Sequence, residues 1–379
     1  MAQSEVMKRL DLVFFDAGGG HRAAADALRR VIEEQRRPFE IRMVNLQDLL
    51  DSIDIFRKLT GFRLQDLYNL MLKKGWTLGS PQLTAGMHLV IRLFHRRQVA
   101  LLEKLWRARR PDMVVSLVPN FNRALRDSLH NIPFVTILTD LADYPPHFWI
   151  ERQEQYLICG SDKALEQALA LGHKPAKVFR VSGMILNPGF YEIAPLAGEQ
   201  RASERAKLGF DSVLPVGLVL FGGQGAAVMY DIARRLPARQ LLLICGHNTQ
   251  LVEKLRAMPH IAPIYVEGFT TEIPRYMQLA DYLIGKPGPG SISEAVFMHL
   301  PVIVERNAWT LPQERYNAEW VSEQGVGIAL PNFGRIAQAV DQLLEPSTYA
   351  KFRSATEKLR NRAVFEIPEI LERILRESP

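Results

Sequence analysis

Short apolar runs rich in Val, Ile and Leu recur from one end of this chain to the other, each followed by a stretch with helical spacing. That alternation constrains the fold more than any other feature, because it predicts parallel strands joined by right-handed helical crossovers. The reading places strands near Asp11–Phe15, Glu40–Val44, Met113–Leu117, Phe134–Leu138, Tyr156–Cys159 and Val178–Val181. A second series falls near Val216–Phe221, Gln240–Ile244, Ile264–Val266, Tyr282–Ile284, Val302–Val304 and Ile328–Leu330. Between the series, residues 184–215 hold several Gly and Pro residues and mixed charge, which reads as a linker followed by a helix. The chain is therefore expected to form an α/β domain over 1–190, a second over 205–345, and a charged helical tail over 346–379. In such folds the tail often returns to the first domain, which periodicity alone does not decide. Segment 46–110 has helical periodicity and no clear strand.

Several classes of protein are excluded early. No uninterrupted apolar stretch reaches the roughly 18–20 residues that span a bilayer. The N-terminal segment runs directly into a strand and lacks a signal peptide's apolar core and cleavage site, so the protein is expected in the cytoplasm. Only Cys159 and Cys245 are present, each after an apolar run and before a glycine, which predicts buried reduced thiols rather than a disulfide or a Cys-rich zinc site. The net charge of +6 is concentrated in residues 51–110, with 12 Lys/Arg against 4 Asp/Glu. Such an excess suits an anionic surface, lipid head groups or nucleic acid, or else a solvated helical face.

Four segments can carry chemistry. Asp16-Ala17-Gly18-Gly19-Gly20-His21-Arg22 lies between the first strand and the first helix, where glycines allow close approach of a ligand and the helix N-terminus favours an anion. Its spacing is neither the dinucleotide G-x-G-x-x-G nor a P-loop. His21 would sit at the C-terminal edge of the sheet, where ligands bind in α/β folds, and can act as a general base or simply cap the helix. Gly222-Gly223-Gln224-Gly225 repeats the design in the second domain, which suggests a ligand clamped in a cleft between the two. Gly285-Lys286-Pro287-Gly288-Pro289-Gly290-Ser291-Ile292-Ser293-Glu294 is the strongest signal. Amides of Gly290, Ser291 and Ile292 with the Ser291 hydroxyl can cradle a diphosphate at the helix start, and Glu294 can accept from ribose hydroxyls. Taken alone, the same run is a Pro/Gly loop with an N-capping serine. In Pro312-Gln313-Glu314-Arg315-Tyr316-Asn317, Gln313 and Asn317 are predicted to share one helical face and, with Glu314, to suit the hydroxyls of a sugar.

In this order these segments resemble the glycosyltransferases of the GT-B fold. More narrowly they resemble the monogalactosyldiacylglycerol synthase and processive diacylglycerol glycosyltransferase family, related to the peptidoglycan N-acetylglucosaminyltransferase that glycosylates lipid I. The match includes GGGHR at 18–22, VTILTDL at 135–141, GGQG at 222–225, CGHN at 245–248, the run from EGFTTEIPRYM to GPGSISEA at 267–295, LPQERYN at 311–317 and EQGVGI at 323–328. The resemblance implies two facing Rossmann-like parallel-sheet domains with an interdomain cleft. It implies that His21 activates the acceptor hydroxyl and that Asp140 orients either the acceptor or His21. Gly20 and Gly223 would approach the donor. The backbone of Phe269 would hold the uracil, Gly288, Gly290 and Ser291 the diphosphate, Glu294 the ribose, and Gln313, Glu314 and Asn317 the donor sugar and nucleotide. Two departures bear on sugar and acceptor rather than on nucleotide. The family's compact His-Pro-x-Trp is here spread over Tyr144-Pro145-Pro146-His147-Phe148-Trp149, and Pro312 replaces the glycine before Gln313-Glu314.

The function so implied is inverting transfer of a hexosyl group from a UDP-sugar to a hydroxyl of a lipid, diacylglycerol in the family, at the inner face of the cell membrane. With no D-x-D triplet in the sequence, no metal or other cofactor is expected, and Lys286 is a candidate to meet charge on departing UDP. Within 46–110, Tyr68, Lys73, Lys74, Trp76, Arg92, Arg96 and Arg97 combine cations with apolar neighbours. They suit a peripheral helix in an anionic lipid interface, or ordinary packing. Transfer to a soluble acceptor, a UDP-sugar 2-epimerase and a catalytically silent UDP-sugar-binding protein are the competing readings. Nucleic-acid binding would leave both glycine-rich turns unused. The motifs assign neither the sugar nor an oligomeric state.

Overall fold

The computed structural model describes residues 7–16, 20–50, 88–89, 91–144, 148–308 and 310–378. They divide into two compact units, one reaching from the N-terminal strand to Pro188 and resuming at Asn361, the other running from Gly189 to Arg360. Each unit is built on a six-stranded, wholly parallel sheet.

In the first unit the strands are β1 (Lys8–Phe14), β2 (Phe39–Asn45), β3 (Met113–Ser116), β4 (Phe134–Ile137), β5 (Tyr156–Cys159) and β6 (Val178–Arg180). Their order across the sheet is β2-β1-β3-β4-β5-β6. Leu10, Leu12 and Phe14 of β1 pack to one face, and Val13 with Phe15 packs to the other, so the run from Leu12 onward is apolar on both faces. A parallel strand covered by helices on both faces requires that pattern. The helix Gly20–Glu34 covers one face through Ala24, Ala25, Leu28 and Ile32. The C-terminal helix Ala363–Glu377 joins the same cluster through Ala363, Ile367, Leu371 and Ile374. Arg37 adds ion pairs to Glu369 and Glu372 at 3.3 and 3.1 Å. The opposite face is covered in part by the helix His95–Ala108, which buries Leu102 and Trp106. The C-terminal part of segment 46–110 is therefore a core helix, and the helical spacing there reflects packing.

The second unit contains β7 (Val216–Leu220), β8 (Gln240–Ile244), β9 (Ile264–Glu267), β10 (Tyr282–Gly285), β11 (Val302–Glu305) and β12 (Gly327–Leu330), ordered β12-β11-β10-β7-β8-β9. All twelve predicted strands are present, with ends shifted by a few residues. Both cysteines are free and fully buried, and burial pushes the Cys159 thiol up to about 12 and the Cys245 thiol up to about 11. In each sheet the chain lays strands outward from a central one and then reverses. The reversal falls between β1 and β3 in the first unit and between β7 and β10 in the second. Loops leaving the carboxyl ends of those strand pairs diverge and open a crevice, where ligands bind in open α/β sheets. Among the described residues, no helix is long and apolar enough to cross a membrane.

Candidate active site

At the switch point of the first unit, the turn after β1 delivers His21 as the second residue of the helix Gly20–Glu34; Gly18 and Gly19 lie outside the described residues. The space over Gly20 is open, with nothing within 4 Å of a Cβ placed there. His21 Nδ1 lies 3.1 Å from the Thr139 hydroxyl. Burial lowers its pKa to about 4, against a smaller opposing effect of a hydrogen bond to the Leu117 backbone. The imidazole is therefore neutral at physiological pH and retains one nitrogen able to take a proton. Leu117 and Thr139 follow β3 and β4, so His21 is gripped over the carboxyl ends of neighbouring strands.

The Trp149 ring packs 5.7 Å from the His21 ring, is fully buried, and donates its indole N–H to Asp140 Oδ2 at 2.8 Å. The Trp149 backbone N–H donates to Asp143 Oδ1 at 2.7 Å, and its carbonyl accepts from Asn122 Nδ2 at 3.1 Å. The Trp149 indole thus touches both Asp140 and His21. Neither Thr139 nor Trp149 was singled out by the sequence as a site residue, although Thr139 is the Thr of the Thr-Asp pair and Trp149 ends the spread-out Tyr144–Trp149 run.

At the second switch point the turns after β7 and β10 flank the crevice of the second unit. A Cβ at Gly225 (φ 59°) would stand 2.5 Å from the Cys245 carbonyl oxygen, and one at Gly246 (φ 58°) 2.2 Å from the Gly223 oxygen. Only glycine permits these two turns to interlock. The Gly223 and Gly290 positions have nothing within 4 Å of an added Cβ, so backbone there is open to a ligand. The helix Pro289–Phe297 starts ahead of Ser291, with Gly288 and not the serine as its cap, because proline is pre-organised for the first helical position. Its earlier start corrects the predicted cradle. The Ile292 N–H already donates to the Gly288 carbonyl at 3.1 Å, which leaves the amides of Gly290 and Ser291 without an intrahelical partner. Glu294 is partly buried, and burial raises its pKa to about 7.

The Gln313–Asn317 segment also differs from expectation. Pro312–Glu314 is a single 3₁₀ turn ahead of the helix Arg315–Glu323, so Gln313 and Asn317 do not share a helical face. Glu314 and Asn317 turn inward instead. Lys286 Nζ donates to Glu314 Oε1 at 2.9 Å, and Asn317 Nδ2 donates to the Pro287 carbonyl at 2.9 Å. Asn317 is fully buried and braces the Lys286–Gly288 loop from behind. Lys286 runs its side chain past Gly222 and Gly288, whose missing Cβ atoms would lie 3.7 and 3.3 Å from its Cε. Phe269 follows β9 with an exposed ring stacked on His247. Of the implied membrane residues, Arg92, Arg96 and Arg97 are exposed; Tyr68, Lys73, Lys74 and Trp76 lie outside the described residues.

Two units, each built on a six-stranded parallel sheet, fit the GT-B class of α/β protein. Solved structures agree. MurG of Acinetobacter baumannii superposes with a TM-score of 0.58 at 14% identity, covering 97% of this chain and 99% of that one. A UDP-N-acetylglucosamine 2-epimerase assigned as putative, from Listeria monocytogenes, superposes at 0.62 and 15% identity, covering 100% and 98%. Residues 218–373 match the glycosyltransferase family 28 C-terminal domain. The monogalactosyldiacylglycerol synthase of Spinacia oleracea is 29% identical over 99% of this chain and 74% of its own length. Monogalactosyldiacylglycerol synthase 1 of Arabidopsis thaliana is 27% identical over 98% and 72%. The chain is a glycosyltransferase of GT-B fold whose residues 218–373 match the family 28 C-terminal domain, and it is similar along its length to the monogalactosyldiacylglycerol synthases.

Proposed function

We propose that this glycosyltransferase moves a hexosyl group from a UDP-sugar to a hydroxyl of a lipid, with diacylglycerol as the acceptor, while bound peripherally at the inner face of the cell membrane. The observation that carries this reading is the division of chemistry between the switch points. A neutral histidine stands at one, and open helix-terminal amides with a lysine stand at the other. In the reaction, His21 takes the proton from the acceptor hydroxyl as that oxygen attacks the anomeric carbon. The bond from that carbon to the diphosphate breaks, its electron pair leaves with UDP, and the anomeric centre inverts. The new negative charge on UDP is met by Lys286 and by the Gly290 and Ser291 amides at the positive end of the helix. These groups do the work that a divalent cation does elsewhere, so no metal is required.

The lipid acceptor is supported by the names of the relatives and by the surface around residue 92. Leu89 and Leu93 are 60% and 72% exposed, one helical turn apart, among the exposed guanidiniums of Arg92, Arg96 and Arg97. Leucines ringed by cations suit an anionic lipid interface. The test is incubation of the purified chain with radiolabelled UDP-sugars and anionic liposomes containing diacylglycerol. Label extracting into organic solvent is the expected result and identifies the sugar. UDP release without a lipid product would move the acceptor to a soluble hydroxyl compound.

A further inference from the structure

His247 lies in the turn after β8 and Phe269 just after β9, and both side chains are exposed, Phe269 by 59%. Their rings nevertheless lie face to face, with centroids 4.1 Å apart and planes 14° from parallel. Hydrogen bonds tie the backbone beneath them to the neighbouring strands and turns. The His247 N–H donates to the Gly223 carbonyl at 2.9 Å, and the Cys245 N–H to the Glu267 carbonyl at 2.9 Å. The Glu267 carboxylate in turn accepts the Tyr276 and Tyr265 hydroxyls at 2.7 and 3.2 Å. One face of the Phe269 ring is thus backed by an imidazole fastened to the glycine-rich turn of β7.

The position along the sheet fits a particular ligand. Strand order runs β10-β7-β8-β9, so the turns carrying His247 and Phe269 lie two and three strands from the diphosphate loop. At about 4.8 Å per strand this is roughly 10–14 Å, a distance that a ribose and its base bridge. An exposed aromatic face at that distance suits a planar base, whose π-face stacks whatever its edge pattern.

We propose that His247 is a positioning residue for the donor nucleobase, holding the Phe269 ring flat so that a pyrimidine packs on the ring. The proposal rests on the UDP-sugar reading above. Its test compares wild type, His247→Ala and His247→Phe for binding of UDP by calorimetry and of inorganic pyrophosphate by competition, with thermal melts to establish folding. The alanine variant should lose roughly two- to tenfold in UDP affinity with pyrophosphate binding unchanged, and phenylalanine should restore it. Unchanged UDP binding in the alanine variant, equal loss of pyrophosphate, or no restoration by phenylalanine would overturn the role of His247 alone. A wild-type protein that binds pyrophosphate but no UDP would remove the donor reading itself.

Discussion

The two glycine-rich turns, at 16–22 and 222–225, look alike in sequence and do different work. After β1 the helix begins within the motif itself, at Gly20, and its buried Ala24, Ala25, Leu28 and Ile32 pin the first turn so that His21 meets Thr139. After β7 the helix is delayed to Val228, and the intervening glycines are used in backbone contact with Cys245 and Gly246. One turn presents a side chain; the other builds a platform, and the charged chemistry arrives on the neighbouring loop after β10. A strand–glycine–helix motif therefore marks where a ligand approaches without saying what meets it there. The strand whose loop lies across the switch point decides that.

The largest effect should come from the turn that presents a side chain. His21→Ala should lower kcat by about 10²–10⁴-fold, the usual contribution of a positioned general base, and leave UDP affinity unchanged. Stopped-time assays with saturating donor and calorimetry with UDP would show it. An equal loss of UDP affinity would mean that His21 belongs to the donor side, and the contrast between the turns would fail. Lys286→Met should come next, with kcat lower by about 10²-fold, comparable to loss of one preorganised donor to a developing anion. That variant also leaves Glu314 without the lysine, so Lys286→Met/Glu314→Gln is the fairer comparison. Glu314→Gln alone should lose less, because it keeps the ammonium and only loosens it.

The same contrast explains what could be read before the structure. The strands were legible because a strand covered on both faces is nearly continuous in apolar residues, and β5 and β8 begin and end where predicted. His21 and the loop at 285–294 were legible because a helix start directly after a strand is local. The grip on His21 was not, since Thr139 lies 118 residues away and Trp149 reaches it only through the fold. Asn317 was misplaced for a related reason. The helical spacing starts from Gln313, which lies in the 3₁₀ turn Pro312–Glu314, and the Asn317 side chain expected to face the sugar turns under Pro287. The 46–110 segment shows the same ambiguity from the other side, because an apolar helical period fits a core helix as well as a membrane face. Leu102 and Trp106 are core, while Leu89 and Leu93 are exposed.

The smallest expected effect separates the two switch points by pH. Burial holds His21 near 4 and Glu294 near 7, so between pH 6 and 8 only the second changes charge. A ribose hydroxyl bonds more strongly to a carboxylate than to a carboxylic acid. UDP affinity should therefore rise several-fold from pH 6 to pH 8, following the ionised fraction of Glu294. Glu294→Gln should flatten that dependence, apart from the titration of UDP itself, which the variant measures directly. Stability runs the opposite way. A carboxyl whose pKa is raised on folding is favoured while it stays protonated, so its contribution is lost as pH rises from the unfolded value through about 7. Glu294→Gln should then raise the melting temperature at pH 8 and leave it unchanged at pH 4, below the unfolded value. A melting temperature unchanged at both would place the carboxylate in water and take the ribose contact from it, while His21 and its turn would be untouched.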